Sequence, residues 1–335
     1  MRAPAACLAL LLLAAPAAIA KSVVAKPAPA ASPKTYKADP GPSVVTATLL
    51  DWHDASRSRP VPVKIYAPAT GAGPFPVIVF SHGLGGSRNG YEYLGRHWAS
   101  WGYVSVHVEH LGSDTAAITK GGRLRKNLQE AAGDTRNAVA RPLDVCFVLD
   151  QLETLNQGGS PLSHRLDLTR VGMAGHSFGS WTTMAVAGQR FGQETNFTEP
   201  RFKAAIAMST PVPKQKDYDR VYRDVHIPIL HMTGTEDDSP VGETKAAERR
   251  IAYDHIQGVD QYLVTFQGGD HMVFSGRLFQ TERPKDPVFH SLILQGTTAF
   301  WDAYLKGDAA AKDWLAKGGY AAVLGQDGKL EEKPR

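Results

Sequence analysis

The chain is 335 residues long, 43% hydrophobic and 21% charged, with 32 glycines and 22 prolines. That composition excludes a disordered chain, a collagen-like repeat and a coiled coil. A net charge of +4, scattered along the sequence, leaves no footprint for nucleic acid, and two cysteines cannot build a disulfide framework.

Arg2 precedes the apolar run Cys7–Ala15, followed by Pro16 and the small residues Ala17-Ala18-Ile19-Ala20. This is the layout of a secretory signal, so residues 1–20 are expected to be cut off after Ala20 and the protein to be secreted or periplasmic. The apolar run is shorter than the roughly 20 residues that cross a bilayer, so no stable membrane insertion is expected after cleavage. Losing Arg2 and Cys7 leaves Cys146 as the one cysteine, read as a small core residue on a helix. Residues 21–42, rich in Ala, Pro and Lys, are expected to form an extended, solvated linker. The globular unit is then 43–335, with its first strand near Val44.

From there strand and helix signals alternate. Residues 44–52 and 61–67 read as two strands joined by a polar turn. The run PVIVF (76–80) suits a strand buried on both faces, and residues 103–108 suit the next. Helical spacing follows over 143–155, then a strand at 171–175, a helix over 178–189 and a strand at 204–208. Residues 228–232 are a strand, 242–256 a helix, 262–266 the last strand and 291–306 the last long helix. Two strands followed by six strand–helix units predict one α/β domain: a mostly parallel, eight-stranded sheet with helices on both faces.

The sequence Gly175-His176-Ser177-Phe178-Gly179 lies between an apolar strand and an Ala-rich helix. A G-x-S-x-G pentapeptide in that setting is the nucleophile elbow of the α/β-hydrolase fold, with glycines where side chains would collide with the neighbouring strand and helix. A serine hydroxyl needs a base, and the chain order in this fold is Ser, acid, His. The loop after 228–232 offers Glu236, Asp237 and Asp238. Of 12 histidines, His271 is chosen by position, on a glycine-loosened loop just past the last strand. Ser177 would attack, His271 would carry the proton, and the carboxylate would orient the imidazole. The oxyanion needs two N–H donors, expected from Phe178 and from Leu84 in the loop Ser81-His82-Gly83-Leu84-Gly85-Gly86. This scheme uses no cofactor. His107 and His110 lack metal-ligand spacing, so no metal is expected.

The stretch PVIVFSHGLGGSRNGYEYLGRHWASWGY (76–103), GHSFG, TGTEDDSP (233–240) and GGDHMVF (268–274) together resemble serine esterases related to platelet-activating-factor acetylhydrolase and bacterial dienelactone-hydrolase-like proteins. The resemblance implies an acid in a G-x-x-D pattern, which favours Asp237 over Asp238 and Glu236. It also implies that His82 shapes its loop rather than serving as the base. Two departures stand out: Ser180 follows the elbow where many such proteins have Gly, and true dienelactone hydrolases attack with Cys.

The expected function is ester hydrolysis on small-molecule or lipid esters, short-chain or accessible ones given that 210–226 is too short for a large lid. Acyl transfer, peptide hydrolysis and a non-catalytic binding protein of the same fold are the alternatives. The insertion 111–140, with Lys120, Arg123, Arg125 and Lys126, is expected as a solvated loop or a rim of the cleft. Trp181, Phe274 and Phe279 are candidates for an acyl pocket, with core packing the competing role.

Overall fold

The computed structural model describes residues 34–192, 195–277 and 281–335. The expected signal segment, residues 21–33 of the expected linker, and Phe279 lie outside the described residues. Nine strands form one sheet: β1 (Val45–Asp54), β2 (Arg59–Pro68), β3 (Phe75–Ser81), β4 (Val104–Val108), β5 (Leu166–His176), β6 (Phe202–Met208), β7 (Ile229–Glu236), β8 (Gln261–Asp270) and β9 (Gly328–Lys333). Their order across the sheet is β1-β2-β4-β3-β5-β6-β7-β8-β9. Strands β3 to β8 are mutually parallel, whereas β1, β2 and β9 pair antiparallel with their neighbours.

The helices are α1 (Glu92–Ser100), α2 (Thr115–Thr119), α3 (Leu124–Gly133), α4 (Thr135–Gln157), α5 (Phe178–Ala187), α6 (Tyr218–Tyr222), α7 (Ile251–His255), α8 (Asp286–Tyr304), α9 (Ala309–Ala316) and α10 (Gly319–Leu324). They cover both faces, and the strand pleat sorts the core between them. Along β3, Ile78 and Phe80 pack with Trp98 of α1 and with Phe300 and Trp301 of α8. Val77 and Val79 point the other way, to Val145, Val148, Leu149 and Leu152 of α4. This is the α/β-hydrolase fold, as its alternating elements predicted.

Four expectations are corrected. The sheet has a ninth strand, β9, whose sequence GKLEEK lacks an apolar face. It is held by main-chain pairing to β8, and its charges suit a sheet edge. The packed unit also begins before Val44. Lys34 Nζ lies 2.8 Å from Asp302 and 2.5 Å from Asp308, Tyr36 is 8% exposed with its hydroxyl 3.0 Å from Asp302, and Gly41 N–H donates to Ser100 Oγ. One aromatic and one cation thus anchor a stretch whose average composition reads as linker. Residues 111–140 are helical rather than a loop, carrying α2, α3 and the start of α4. Conversely 242–256 holds only a single turn at Ala246–Glu248 and the short α7.

Because β3, β5, β7 and β8 are parallel, their carboxyl ends share one edge of the sheet. Ser81, Ser177, Asp237 and His271 all sit at or just beyond those ends, where open α/β sheets build their sites.

Candidate active site

Ser177 occupies the turn between β5 and α5 with φ 58° and ψ −117°. A side chain in that region is strained by on the order of 1–3 kcal/mol, sustained by the packing around it. A Cβ at Gly179 would run into the Ser81 and His82 carbonyls, and one at Gly175 into Gly179. Glycine at both flanks therefore lets the elbow close against β3. Ser177 N–H donates to the Met208 carbonyl at 2.9 Å, fixing the turn to β6.

Ser177 Oγ lies 2.9 Å from His271 Nε2, and His271 Nδ1 lies 2.7 Å from Asp237 Oδ1. A carboxylate only accepts, so Nδ1 donates to Asp237 and Nε2 accepts the serine proton. Asp237 is fully buried, His271 nearly so, and Ser177 half-buried. The close approach of β7 and β8 at Gly234 and Gly269 brings the two loops together; a Cβ on Gly234 would strike the Gly269 carbonyl. His271 opens a single turn capped by Asp270, which accepts from Met272 N–H and is paired with Arg277.

The neighbouring carboxylates point elsewhere. Asp238 is exposed and binds Lys245 Nζ and Ala246 N–H, both at 2.9 Å. Glu236 is exposed, 3.5 Å from Arg283. Asp237 Oδ2 also accepts from Thr233 Oγ1 at 2.8 Å. Burial opposes its charge, but the hydrogen bond from His271 and the charge of Arg249 outweigh burial and hold the carboxyl below the usual carboxylate range.

Three supporting residues, Arg249, His176 and Tyr91, have roles that no motif assigns. Arg249, 3% exposed, donates through Nη1 to the Ser209 carbonyl and through Nε to the Asp237 carbonyl, at 2.8 and 3.1 Å. Its Nη2 is 3.2 Å from His271 Nδ1 and 3.3 Å from Asp237 Oδ1. Two N–H donors cannot bond each other, so the carboxylate is its partner. His176, hidden as the variable residue of the elbow, has Nε2 2.9 Å from the His271 carbonyl and Nδ1 2.8 Å from Tyr91 Oη. Nε2 therefore donates and Nδ1 accepts from the Tyr91 hydroxyl, whose oxygen accepts Gly83 N–H at 3.2 Å. One neutral imidazole thus ties the His271 turn to the Gly83 loop. Burial, then the nearby His271, pushes its pKa well below the ordinary histidine value.

The N–H groups of Leu84 and Phe178 have no acceptor among the described residues. The Leu84 loop is bound to the insertion after β4: Gly85 N–H donates to the Ser113 carbonyl at 2.8 Å, and Thr115 N–H to the Gly86 carbonyl at 2.9 Å. His82 N–H chemistry fits a shaping role, since Nε2 accepts from His110 N–H at 3.1 Å and Nδ1 donates to the Gly83 carbonyl at 2.6 Å. Trp181 is half-buried between Phe178 and Phe191, while Phe274 is wholly in the core against Phe266 and His176. Cys146 is half-buried, and burial followed by the charge of Glu199 pushes its thiol up to about 12. Among the described residues no His, Cys, Asp and Glu cluster could hold a metal ion, and no helix is long and apolar enough to cross a membrane.

The family profile described as "Platelet-activating factor acetylhydrolase, isoform II" matches residues 47–141, which carry the Leu84 loop and the insertion. The profile described as "Serine hydrolase (FSH1)" matches residues 166–280, which carry Ser177, Asp237 and His271. Platelet-activating factor acetylhydrolase of Cavia porcellus is 27% identical over 44% of this chain and 38% of its own length. The enzymes of that name from Bos taurus and Canis lupus familiaris are each 25% identical, over 62% and 64% of this chain and 50% and 51% of theirs. The chain therefore spans about half the length, or less, of the curated relatives it matches.

Proposed function

From an α/β-hydrolase-fold chain similar to serine hydrolases, we propose a serine carboxylic-ester hydrolase that works through an acyl-enzyme on Ser177. The observation that carries this reading is the unbroken hydrogen-bonded chain Asp237–His271–Ser177, buried at the acid and open at the strained serine. In the proposed reaction Ser177 Oγ adds to the ester carbonyl as its proton passes to His271 Nε2. The tetrahedral oxyanion is received by the N–H groups of Leu84 and Phe178. Collapse expels the alcohol, which takes the proton from Nε2. A water molecule then repeats the addition on the acyl-enzyme, releasing the acid and restoring Ser177. Asp237 stabilises the imidazolium in both halves, and Arg249 keeps Asp237 in place.

The acetylhydrolase names of the relatives support a short acyl group as the part transferred to Ser177. Between β6 and β7 the chain carries only the five-residue α6, so small or lipid esters would approach without a large lid. The signal-like residues 1–20 support export to the periplasm or beyond. Hydrolysis of p-nitrophenyl esters of increasing acyl length tests the reading, with Ser177→Ala as control. Expected are turnover peaking at short chains, labelling of Ser177 by a fluorophosphonate, and loss of both in the variant. A wild-type protein that neither turns over nor labels would overturn it.

A further inference from the structure

Behind the Leu84 loop lies an unusual cation. Arg141 of α4 is fully buried, yet no carboxylate pairs with it among the described residues. All its partners are neutral. Nε donates to Thr182 Oγ1 at 2.9 Å, Nη1 to Ser113 Oγ at 2.8 Å, and Nη2 to Ser81 Oγ at 3.0 Å and to the His82 carbonyl. Its guanidinium carbon stands 4.5 Å from the centre of the Phe178 ring. Asp144, three residues on along the same helix, acts on it only through space, its oxygens being engaged by Arg57, Arg59 and His110. A buried charge without a paired opposite is costly, and apolar residues in its place would serve stability better.

Every partner of this cation belongs to the half of the site that offers N–H groups. Ser81 and His82 lead directly into Gly83-Leu84, the Ser113 carbonyl holds Gly85 N–H, and Phe178 and Thr182 are on the elbow helix. We propose that Arg141 is the positioning residue of the oxyanion half: its rigid fork sets the Leu84 and Phe178 N–H groups relative to each other, and its charge favours the anionic tetrahedral intermediate over the neutral ester. The inference rests on the serine-esterase reading. The intermediate supplies the negative charge that the ground state lacks, so the cation acts selectively on the step rather than on substrate binding.

The test compares two ligands that differ only in whether an oxyanion forms. An alkyl trifluoromethyl ketone adds Ser177 Oγ to its carbonyl and becomes an anionic adduct, whereas the matching methyl ketone binds without adding. Both inhibition constants are measured on wild type, Arg141→Met, Arg141→Lys and the double variant Ser113→Ala/Thr182→Val, together with KM, kcat and fluorophosphonate labelling. Arg141→Met is expected to weaken the trifluoromethyl ketone and kcat by about 100-fold, in the range of a lost oxyanion donor, with KM and the methyl ketone nearly unchanged. Lysine keeps the charge but not the fork, so Arg141→Lys is expected to lose about tenfold. If neither Arg141 variant folds, the double variant still decides, since it loosens two of the contacts and keeps the charge; about threefold selective weakening is expected. Equal loss for both ketones, or a lower Tm with an unchanged ratio between them, overturns the proposal. A wild type that fails to label overturns the esterase reading and this inference with it, whereas a labelled wild type with an unchanged ratio in the variants overturns this inference alone.

Discussion

Two Ser–His–Asp chains run through this molecule, and their surroundings differ. In the first, Ser177 is 2.9 Å from His271, which is 2.7 Å from Asp237. In the second, Ser81 Oγ is 2.9 Å from His110 Nε2, and His110 Nδ1 is 2.9 Å from Asp144. Distances and tautomers match: in both, Nδ1 donates to the carboxylate and Nε2 accepts from the serine. The surroundings do not match. Ser177 is half-buried in a turn with φ 58°, while Ser81 ends a regular strand with 0% exposure and accepts a further bond from Arg141. Asp144 already has Arg57 and Arg59 on it, so little of its charge is left to stabilise an imidazolium. Burial, then the charge of Arg141, pushes His110 down to about 4. A hydrogen-bonding pattern is therefore not a catalytic site by itself. Access, backbone strain at the serine and N–H groups without an acceptor among the described residues distinguish the first chain, and the second chain instead braces the loop that carries Leu84.

The sharpest way to break this contrast is at the acids. Asp237→Asn leaves the amide to choose the wrong imidazole tautomer, and kcat is expected to fall by about 10³–10⁴, as for a triad acid. Asp238→Asn touches only Lys245 and Ala246 and is expected to leave kcat within about twofold, since exposed pairs of this kind contribute little. Steady-state kinetics on one short-chain ester distinguishes the two, and similar losses would remove Asp237 from its place in the first chain.

Next in size is the loss at the second chain. His110→Ala unlinks Ser81 from Asp144 inside the core, where His110 is fully buried. Unfolding in urea is expected to show a destabilisation of about 3 kcal/mol, the range for leaving buried polar partners unmet. Fluorophosphonate labelling of Ser177 should persist in the folded variant. Complete loss of labelling with unchanged stability would make His110 part of the reacting machinery.

How much of the first chain was legible follows from what each residue is attached to. Ser177 and His271 are fixed by local sequence, a glycine-flanked elbow and a glycine-loosened loop after the last strand, so chain order sufficed. Asp237 was one of three adjacent carboxylates, and only the resemblance ranked it; the reason it faces His271 is the strand contact at Gly234 and Gly269, which is not local. Arg249, twelve residues after Asp237, and Arg141 belong to no motif, because nothing in a sequence says that a cation is buried. The ninth strand escaped for the opposite reason: its polar residues carry no period, and its pairing with β8 is made by the main chain. Patterns bound to a turn or an apolar stripe are visible in one dimension, while roles created by two distant segments meeting are not.

The smallest expected effect concerns acid, and it ties the second chain to the rest of the core. His82, His97, His107, His110, His176 and His231 are all buried and all have pKa values lowered, burial being the leading cause in each. Their folded values lie below the unfolded value of about 6.5. Below that pH the unfolded chain takes up protons that the folded chain refuses, so stability falls as pH falls, and continues to fall until the folded values near 4 for His97, His110 and His231 are reached. Each such histidine contributes a slope of about 1.4 kcal/mol per pH unit. His231 offers the cleanest reading, because it lies on β7 beside Gln261 and Tyr253, away from both Ser–His–Asp chains. Urea midpoints measured from pH 7 to pH 5 should decline steeply in wild type and less steeply, by about that one-histidine slope, in His231→Phe, with turnover at pH 8 unchanged. An unaltered slope would mean that this imidazole is not held neutral by burial. The same measurement on His110→Ala then asks whether the second chain pays part of the acid sensitivity, as its buried imidazole requires, or whether Arg141 and Asp144 rearrange to take its place.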